Sequence, residues 1–305
     1  MGKTFSSCCV TASSNQELEI LQDRLETSKC FSKFETQEFP LCSTPIQQKL
    51  SQIAKIEKSL DPFEFDESTA NEDIKTFESP EGWTYIGEVD KNGLKEGKGI
   101  FLWEDGSKYI GYWKNNQANG RGRLIHISGD IYEGEWANDK AHGKGKYIYS
   151  DGSVYQGEWA DDLYHGLGMQ KWPDGSLFVG NFESGFKDGH GEFEWADGSK
   201  FKGMFKNDRF EGNGTYHWSD NRVYEGMWKD GRMHGQGKYN WPDGRIFTGE
   251  YKDDKKNGHG ELKWPDGKKF VGLWKDGKRT GKGSFFEQGG NMIEGFWVDD
   301  ELVNN

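Results

Sequence analysis

One short phrase recurs at a constant interval along most of this chain of 305 residues. "YEGEWANDKAHGKG" begins at Tyr132, and "YQGEWADDLYHGLG" begins at Tyr155. The first aromatic residue of each full copy is Tyr85, Tyr109, Tyr132, Tyr155, Phe178, Phe201, Tyr224, Phe247 and Phe270, and Ile293 begins a truncated tenth copy. A fixed period of this size is typical of arrays in which each small repeat buries its apolar side against its neighbours.

Each copy reads as a β-hairpin. An aromatic-x-Gly-x-aromatic segment is followed by about six polar residues, then by Gly-x-Gly and alternating residues up to "WPDG" or an equivalent. Alternation with a period of two predicts strands, and the polar six and the "DG" predict turns. In the copy that begins at Tyr132, the polar six is "ANDKAH", which places His142 in a turn. The repeats therefore predict a mostly β fold, a long single-layer antiparallel meander of consecutive hairpins.

Rings and glycines share one face of the predicted sheet, because residues two apart in a strand point to the same side. In the third copy this face carries Tyr132, Gly134 and Trp136 on the first strand, and Gly143 and Gly145 on the second. Glycine weakens strands, so its recurrence here predicts that both glycines of Gly-x-Gly are sockets for neighbouring rings. We expect these structural rings to include Tyr109, Trp113, Tyr132, Trp136, Tyr155, Trp159, Tyr224, Trp228, Phe270 and Trp274.

This pattern resembles the MORN repeat, the membrane occupation and recognition nexus motif, over roughly nine copies and a partial tenth. The resemblance implies an elongated, curved sheet of consecutive hairpins. It implies function less sharply, because MORN arrays occur as scaffolds, membrane tethers, axonemal components and accessory segments of lipid kinases or methyltransferases.

Composition divides the chain near Pro80 into a segment 1–80 and an array 81–305. Only one of the 43 Gly, and none of the 13 Trp, precedes residue 81, whereas all four Cys do. The overall net charge of −12 argues against nucleic acid as a partner, because phosphate binding needs cationic side chains. We find no signal peptide and no apolar run long enough to span a bilayer.

The start of the chain, "MGKTFSSCCV", fits the N-myristoylation pattern M-G-x-x-x-[ST]. Gly2 is the predicted acceptor, and Cys8 and Cys9 are candidates for S-palmitoylation. One myristoyl chain gives only reversible membrane binding, so a second signal is needed. Lys3 is the only basic residue before Arg24, so palmitate, rather than a polybasic patch, would supply that signal. An ordinary tail with reduced cysteines is the alternative, and Cys30 and Cys42 receive no interpretation.

Capping signatures predict two short helices in the N-terminal segment, at about 14–26 and 45–60. Both need a surface on which to pack. The face opposite the rings is apolar in the first copies, at Ile86, Ile100, Leu102, Ile110, Tyr112, Ile125 and Ile148. We expect the helix at about 45–60 to cover this surface.

Two further surfaces are candidates for binding. The last copies place Val271, Leu273, Phe286 and Phe296 on the face opposite the rings, which predicts a partner site or a homodimer through the C-terminal end, or else a frayed cap. A basic cluster on the same face is the second candidate, for anionic lipid headgroups. Alternating charges on a solvated face are its alternative explanation. The cluster comprises Lys98, Arg121, Arg123, Lys144 and Lys146.

We predict no enzyme, no metal site and no cofactor. The seven His fall into repeat columns, and equivalent positions in successive copies lie about 10 Å apart, too far to share a metal ion. Paired acids such as Asp161 and Asp162 read as solvated turn charge.

The sequence therefore favours a non-enzymatic scaffold at the cytoplasmic face of a plasma or ciliary membrane or its cortex. Acyl chains would hold it there, and the array would present its surface to a cytoskeletal or signalling protein. The alternative is a soluble structural subunit of a ciliary or other cytoskeletal assembly. A regulatory partner of a phosphoinositide kinase is a weaker alternative that rests on the resemblance alone.

Overall fold

The computed structural model describes residues 53–65 and 74–303, which divide into two compact units at Leu163 and Tyr164. The first unit contains helix α1 (53–58) and eight strands. These strands are β1 (Ile74–Glu78), β2 (Thr84–Val89), β3 (Lys95–Leu102), β4 (Lys108–Lys114), β5 (Gln117–Ile125), β6 (Ile131–Ala137), β7 (Lys140–Ile148) and β8 (Val154–Ala160).

The second unit consists of thirteen further strands, the first of which begins at the boundary. They are β9 (Leu163–Lys171), β10 (Leu177–Glu183), β11 (Phe186–Glu194), β12 (Lys200–Lys206), β13 (Arg209–His217), β14 (Val223–Lys229), β15 (Arg232–Asn240), β16 (Ile246–Lys252), β17 (Lys255–Lys263), β18 (Lys269–Lys275), β19 (Lys278–Phe286), β20 (Met292–Val298) and β21 (Glu301–Val303).

Within each unit every strand pairs antiparallel with its neighbours in the chain, so the predicted fold class, a meander of consecutive hairpins with a short N-terminal helix, is confirmed. The predicted helix at about 14–26 lies outside the described residues. Strand β1 was not anticipated: it precedes Pro80 and pairs with β2, Phe77 facing Tyr85. It lacks the glycines of the repeat, which is why the pattern did not reveal it.

The hairpin turns are tighter than the sequence suggested. In the β6–β7 hairpin only Asn138 and Asp139 form the turn, with φ of 52° and 65°. Two successive positive φ values define a type I′ turn, whose twist matches that of the flanking strands. The interpretation of "ANDKAH" as a six-residue turn was wrong, since β7 begins at Lys140 and contains His142. Asn and Asp tolerate left-handed backbone well, so the turn needs no glycine.

The second residue of this turn, Asp139, ties one repeat to the preceding one. Asp139 Oδ1 accepts a hydrogen bond of 2.7 Å from the backbone N–H of Ala118, and the N–H of Asp139 donates to the carbonyl of Ala118 at 3.0 Å. The same pair of bonds joins Asp162 to Ala141 at 2.7 and 3.0 Å. Corresponding bonds join Asp208 to Lys187, Asp254 to Met233, and Asp300 to Arg279. The interpretation of the paired acids as solvated charge was therefore wrong for the second acid of each pair.

Glycines on the aromatic face, the side of the sheet that carries Tyr132, Gly134 and Trp136, are in contact with a ring. Gly134 faces Gly145 across the ladder, and a Cβ at Gly145 would lie 2.6 Å from a ring carbon of Tyr132. At Gly134 a Cβ would lie 2.6 Å from the carbonyl oxygen of Lys144 and 2.6 Å from Tyr132 Oη. Both distances are shorter than any non-bonded carbon contact, so only glycine fits at either position.

Gly143 is not the socket for a ring that the sequence predicted. It lies in a β-bulge, where the register changes between Gly134 and Glu135, and it has a φ of 61°. Glu135 Oε1 accepts a hydrogen bond of 3.1 Å from the N–H of Lys144 in this bulge. The first glycine of Gly-x-Gly is therefore needed for its left-handed backbone, and only the second one is a socket.

The rings pack edge to face from one repeat to the next. The Tyr132 ring meets Trp136 of its own repeat at a centroid distance of 5.0 Å and Trp159 of the following repeat at 5.1 Å. Trp159 Nε1 donates to the carbonyl of Gly145 at 3.2 Å, and Tyr132 Oη donates to the carbonyl of Glu135 at 2.8 Å. All ten expected structural rings are buried except Trp136, which is half-buried.

Long cations complete the aromatic face in several repeats. Lys95 Nζ lies 4.1 Å from the centroid of the Phe101 ring and 4.7 Å from that of Trp113, and Lys256 Nζ lies 4.8 Å from that of Trp274. Burial lowers the pKa of Lys95 to about 8, and it lowers the pKa of Lys256 to about 8. The aromatic face is thus a packed core, filled by side chains of the chain itself.

Replacing Gly134 by Ala should destabilise the protein by about 1–3 kcal/mol, because the added methyl group meets fixed backbone atoms. The matched control is Gly267→Asn in a junction turn. Asn221 already occupies the equivalent position with a φ of 68°, against 88° for Gly267, so this change should stay within about 0.5 kcal/mol. Urea denaturation measures both. Equal stability of Gly134→Ala and the unaltered protein would contradict the socket.

The buried tyrosines predict loss of stability above pH 10. Burial is the largest cause that raises the pKa of Tyr109, Tyr132 and Tyr224 above the ordinary 10.0. Their unfolded forms release protons above pH 10 while the folded forms keep them, so the free energy of unfolding falls with rising pH. Lys95 and Lys256, each with a pKa of about 8, have the opposite effect: they make the free energy of unfolding rise with pH. This effect is confined to the range between pH 8 and the ordinary lysine pKa of 10.5.

Urea denaturation at pH 10.5 and 11.5 checks this prediction. Phe already occupies the equivalent position in four repeats, so a triple Tyr→Phe variant at Tyr109, Tyr132 and Tyr224 is the matched comparison. It should lose less stability between the two pH values than the unaltered protein does. If the variant and the unaltered protein lost equal stability, groups other than these three tyrosines would be responsible for the loss.

Candidate interaction surface

The second face of the sheet is the side opposite the aromatic face and carries, in β6, Ile131, Glu133 and Glu135. Its residues differ from repeat to repeat far more than the rings do. Because most rings of the aromatic face are buried against one another, we take the second face and the turns as the candidate surfaces for binding other molecules.

Helix α1 lies on the second face of the first unit, within the interval 45–60 where the sequence predicts a helix. Ile53 is only 3% exposed and packs on Ile125 and Ile131, which are 1% and 7% exposed. Ile56 and Leu60 pack at the margin of this cluster. Residues three apart lie on one side of a helix, so α1 places Ile53 and Ile56 on the sheet, and Leu60 adds to this contact just beyond the helix end.

Charged contacts flank the apolar cluster. Lys108 Nζ lies 2.7 Å from Glu57 Oε1, and the two side chains are 6% and 26% exposed. Arg123 donates to the carbonyl of Asp61 at 2.8 Å and forms an ion pair of 2.7 Å with Glu133. A buried cation is costly unless it is paired, and these contacts supply the pairing.

Two phenylalanines continue the contact beyond the helix. The Phe65 ring meets the Tyr112 ring edge to face at 5.4 Å and lies 5.7 Å from Lys98 Nζ. The Phe63 ring lies 5.8 Å from the guanidinium of Arg121. Sequence reasoning did not single out these rings, although their alternation in "FEF" is a strand-like signal that an extended segment lies on a surface.

Three residues of the basic cluster that was expected to meet lipid headgroups contact the segment 53–65. Lys98 and Arg121 lie under its aromatic rings, and Arg123 is 4% exposed with its guanidinium engaged. Lys144 and Lys146 are exposed and face Glu158 and Gln156 across the ladder. The structure thus brings the first three together beneath a segment of the same chain. Headgroup binding stays a prediction, and the side chains open to it are Lys144 and Lys146.

The last repeats of the second unit carry an exposed apolar region on the second face, the C-terminal patch. It comprises Val271, Leu273, Phe286, Met292 and Phe296. Val271 is 39% exposed, Met292 53% and Phe296 49%, while Leu273 and Phe286 are partly buried. Whether a partner or a second copy binds it stays a prediction.

The histidines and paired acids form no metal-binding cluster within the part of the chain that the structure describes. Residues 53–65 and 74–303 hold no group of three or more His, Cys, Asp or Glu that could bind a metal ion. They also include no helix with the length and apolarity needed to cross a membrane. The predicted acylation sites Gly2, Cys8 and Cys9 lie outside the described residues, as do Cys30 and Cys42.

The buried ion pair makes the docking of α1 testable. Lys108→Glu would place two carboxylates together under the segment and should cost about 1–3 kcal/mol. It should also speed tryptic cleavage after Lys55 and Lys58. Adding Glu57→Lys restores opposite charges and should recover most of the loss. Thermal melting and timed trypsin digestion report the two effects.

The control variant reverses a charge in an exposed pair on the same face. Lys202 and Glu192 lie 3.4 Å apart with side chains 79% and 49% exposed, so Lys202→Glu should change stability by less than about 1 kcal/mol. If Lys108→Glu left melting and cleavage unchanged, the segment would not be held by this contact.

Comparison with solved structures finds similar chains of low identity. The TCP10 domain of CPAP from Danio rerio, in complex with a peptide of STIL, is 11% identical with a TM-score of 0.38, and the match covers 70% of this chain and 99% of that one. The CPAP G-box domain is 12% identical with a TM-score of 0.30, covering 66% and 100%. The TCP domain of SAS-4 from Drosophila melanogaster, in complex with a proline-rich motif of Ana2, is 13% identical with a TM-score of 0.26, covering 70% and 99%. At these TM-scores, the similarity assigns no function to this chain.

No curated protein matches the chain. The MORN repeat, in contrast, matches it nine times in succession, at residues 85–108, 109–131, 132–154, 155–177, 178–200, 201–221, 224–244, 247–269 and 270–290. Each of these matches begins at the buried ring of its repeat. Since the matches span well over half of its length, the chain belongs to the MORN-repeat family.

Proposed function

We propose that this protein is a non-enzymatic scaffold that holds binding surfaces at the cytoplasmic face of a membrane. MORN arrays are interaction scaffolds, and the aromatic core of this one leaves the second face for partners. The observation that carries the proposal is the contrast between the two faces. The rings and socket glycines repeat almost unchanged, whereas the second face is apolar under α1, mostly polar with scattered apolar side chains in the middle repeats, and contiguously apolar again at the C-terminal patch.

This contrast is what a scaffold requires. A core that repeats keeps each repeat at a fixed offset from the next, and a variable face places different binding chemistry at chosen repeats. An enzyme would instead need reactive groups brought together in a recess. The described residues of the array bring charged groups together mainly as exposed pairs, such as Lys202 with Glu192 and Lys263 with Glu261.

The membrane attachment in this proposal rests on "MGKTFSSCC". Myristate on Gly2 would give reversible binding, and palmitate on Cys8 or Cys9 would make it persistent. The exposed Lys144 and Lys146 would add a weak attraction to anionic headgroups, about 1 kcal/mol per basic side chain near the surface.

Expression of the full chain in eukaryotic cells, followed by membrane fractionation, tests the attachment. The unaltered protein should sediment with membranes, and Gly2→Ala should move it to the supernatant. The double variant Cys8→Ser, Cys9→Ser keeps the myristoyl site and should bind only partially, because one chain gives an association constant of about 10⁴ M⁻¹.

Hydroxylamine provides the chemical control, since it cleaves thioester-linked palmitate and leaves amide-linked myristate in place. Intact mass spectrometry of the purified protein reads out both modifications. If Gly2→Ala still sedimented with membranes, myristate would not be the anchor, and a soluble structural subunit of a ciliary or other cytoskeletal assembly would become the better description.

A further inference from the structure

The C-terminal patch repeats the surface on which α1 lies, seven copies further along the chain. Under α1, Ile125 and Ile131 face each other across the β5–β6 ladder. Phe286 and Met292 occupy the equivalent positions of the later copy and face each other across the β19–β20 ladder. The apolar centre of the α1 site is therefore present twice.

The charge beside this centre is repeated as well. Lys108, which pairs with Glu57 of α1, faces Ile125 across the ladder. Lys269 is its equivalent and faces Phe286. Lys269 Nζ lies 4.5 Å from the Phe286 centroid and 3.6 Å from a carboxylate oxygen of Glu261. Its side chain is 37% exposed, so its ammonium group can reach an incoming carboxylate.

The rim of the surface keeps its apolar character. Val271 stands at the position of Ile110, and Leu273 stands at that of Tyr112. Phe296 replaces Glu135, which enlarges the apolar area.

One position of the C-terminal patch differs from its equivalent in the α1 site, and the difference favours a helix without an extended segment after it. Ser284 replaces Arg123, whose guanidinium binds the carbonyl of Asp61 beyond the end of α1. The patch therefore retains the apolar pair and the lysine that hold α1 in the first unit. It lacks the arginine that holds the extended segment after α1.

The intervening repeats do not offer this surface. At the position of the Ile125 and Ile131 pair, each of them places at least one charged or polar side chain. The facing pairs are Lys171 with Leu177, Glu194 with Lys200, His217 with Val223, Asn240 with Ile246, and Lys263 with Lys269. The Ile148 and Val154 pair is apolar, but it adjoins α1, and Ile148 packs against that cluster. The apolar pair thus returns at the C-terminal patch after five repeats without one.

Exposure separates the two surfaces. Ile125 and Ile131 are 1% and 7% exposed beneath α1, whereas Met292 is 53% exposed. Apolar residues that are contiguous and uncovered commonly mark a binding site. In the first unit the matching ligand presents Ile53 and Ile56 from α1 and Leu60 from just beyond its end, with Glu57 between the last two.

We propose that the C-terminal patch binds an amphipathic α-helix of a partner protein, one with apolar side chains at i, i+3 and i+7 and a carboxylate at i+4 that pairs with Lys269. Helix-in-groove recognition with anchors at these spacings is a recurrent mode of binding. The inference rests on the scaffold function proposed above and names the class of partner that the scaffold holds at this end.

A labelled peptide with the sequence of residues 44–62 of this chain is the probe. In the full-length protein the first site already holds the chain's own α1, so added peptide should report the C-terminal patch. Fluorescence anisotropy should show saturable binding. Met292→Asp should weaken it by about tenfold or more, as loss of a central anchor does. Val179→Asp is the control, because Val179 is 49% exposed at the same repeat position as Val271, but the facing pair beside it is Lys171 with Leu177 rather than an apolar pair. It should leave binding unchanged.

Charge exchange tests the carboxylate. The peptide with Glu57→Lys should bind the unaltered protein more weakly, and it should regain affinity for the Lys269→Glu protein. Thermal melting of each variant confirms that it is folded, which is expected for substitutions at exposed positions.

Three results would overturn the proposal: no binding to the folded full-length protein, equal binding by Met292→Asp, or binding that depends on Ile131→Asp instead. Sedimentation that showed a dimer abolished by Met292→Asp, with no peptide binding, would assign the patch to a second copy. The assay contains no lipid, and its failure would leave the fractionation result on Gly2→Ala intact. Failure of membrane attachment would equally leave peptide binding intact.

Discussion

The contact between one aromatic ring and two facing glycines organises every repeat of this protein. Tyr132 lies against Gly134 and Gly145, which are Cα partners across the hairpin, and no side chain larger than hydrogen fits at either position. The ring then meets the Trp side chain of the next repeat edge to face. Since the ring is shared in this way, a repeat has no complete core of its own and is stable only beside a neighbour.

Two hydrogen-bonded elements make this ring packing possible. The bulge at Gly143, held by Glu135, sets the strand register that brings Gly145 opposite Gly134. The acid in the following type I′ turn then binds the backbone of the preceding repeat, as Asp162 does at Ala141. Both depend on backbone geometry rather than on the apolar area buried. The glycines therefore recur as strictly as the rings do, and the turn position of Asp162 holds only Asp, Asn or Gly, which tolerate a positive φ.

A core of this kind separates stability from recognition. Apart from the bulge position that Glu135 occupies, the side chains of the second face lie on the opposite side of the sheet from the rings, so each repeat is free to carry different chemistry there. The first unit uses this freedom to bind its own segment 53–65, with Ile53 in an apolar pocket and Lys108 paired with Glu57. The C-terminal patch carries a similar arrangement of apolar and basic side chains, and within residues 53–65 and 74–303 it stays exposed.

The constant repeat period and the alternation within it were sufficient to predict the hairpins, their order and the identity of the packing rings, because ring and glycine positions follow from strand geometry alone. The sequence also located a helix near residues 45–60 and an apolar surface for it. It could not separate Gly143 from Gly145, or the two acids of a turn, because a bulge and a bond between distant positions such as Asp139 and Ala118 are set by pairing register. Only the tertiary structure decided that Arg123 is buried under Phe63 while Lys146 is exposed. The two side chains look alike in the repeat, and the difference lies in a segment that packs on one and not the other.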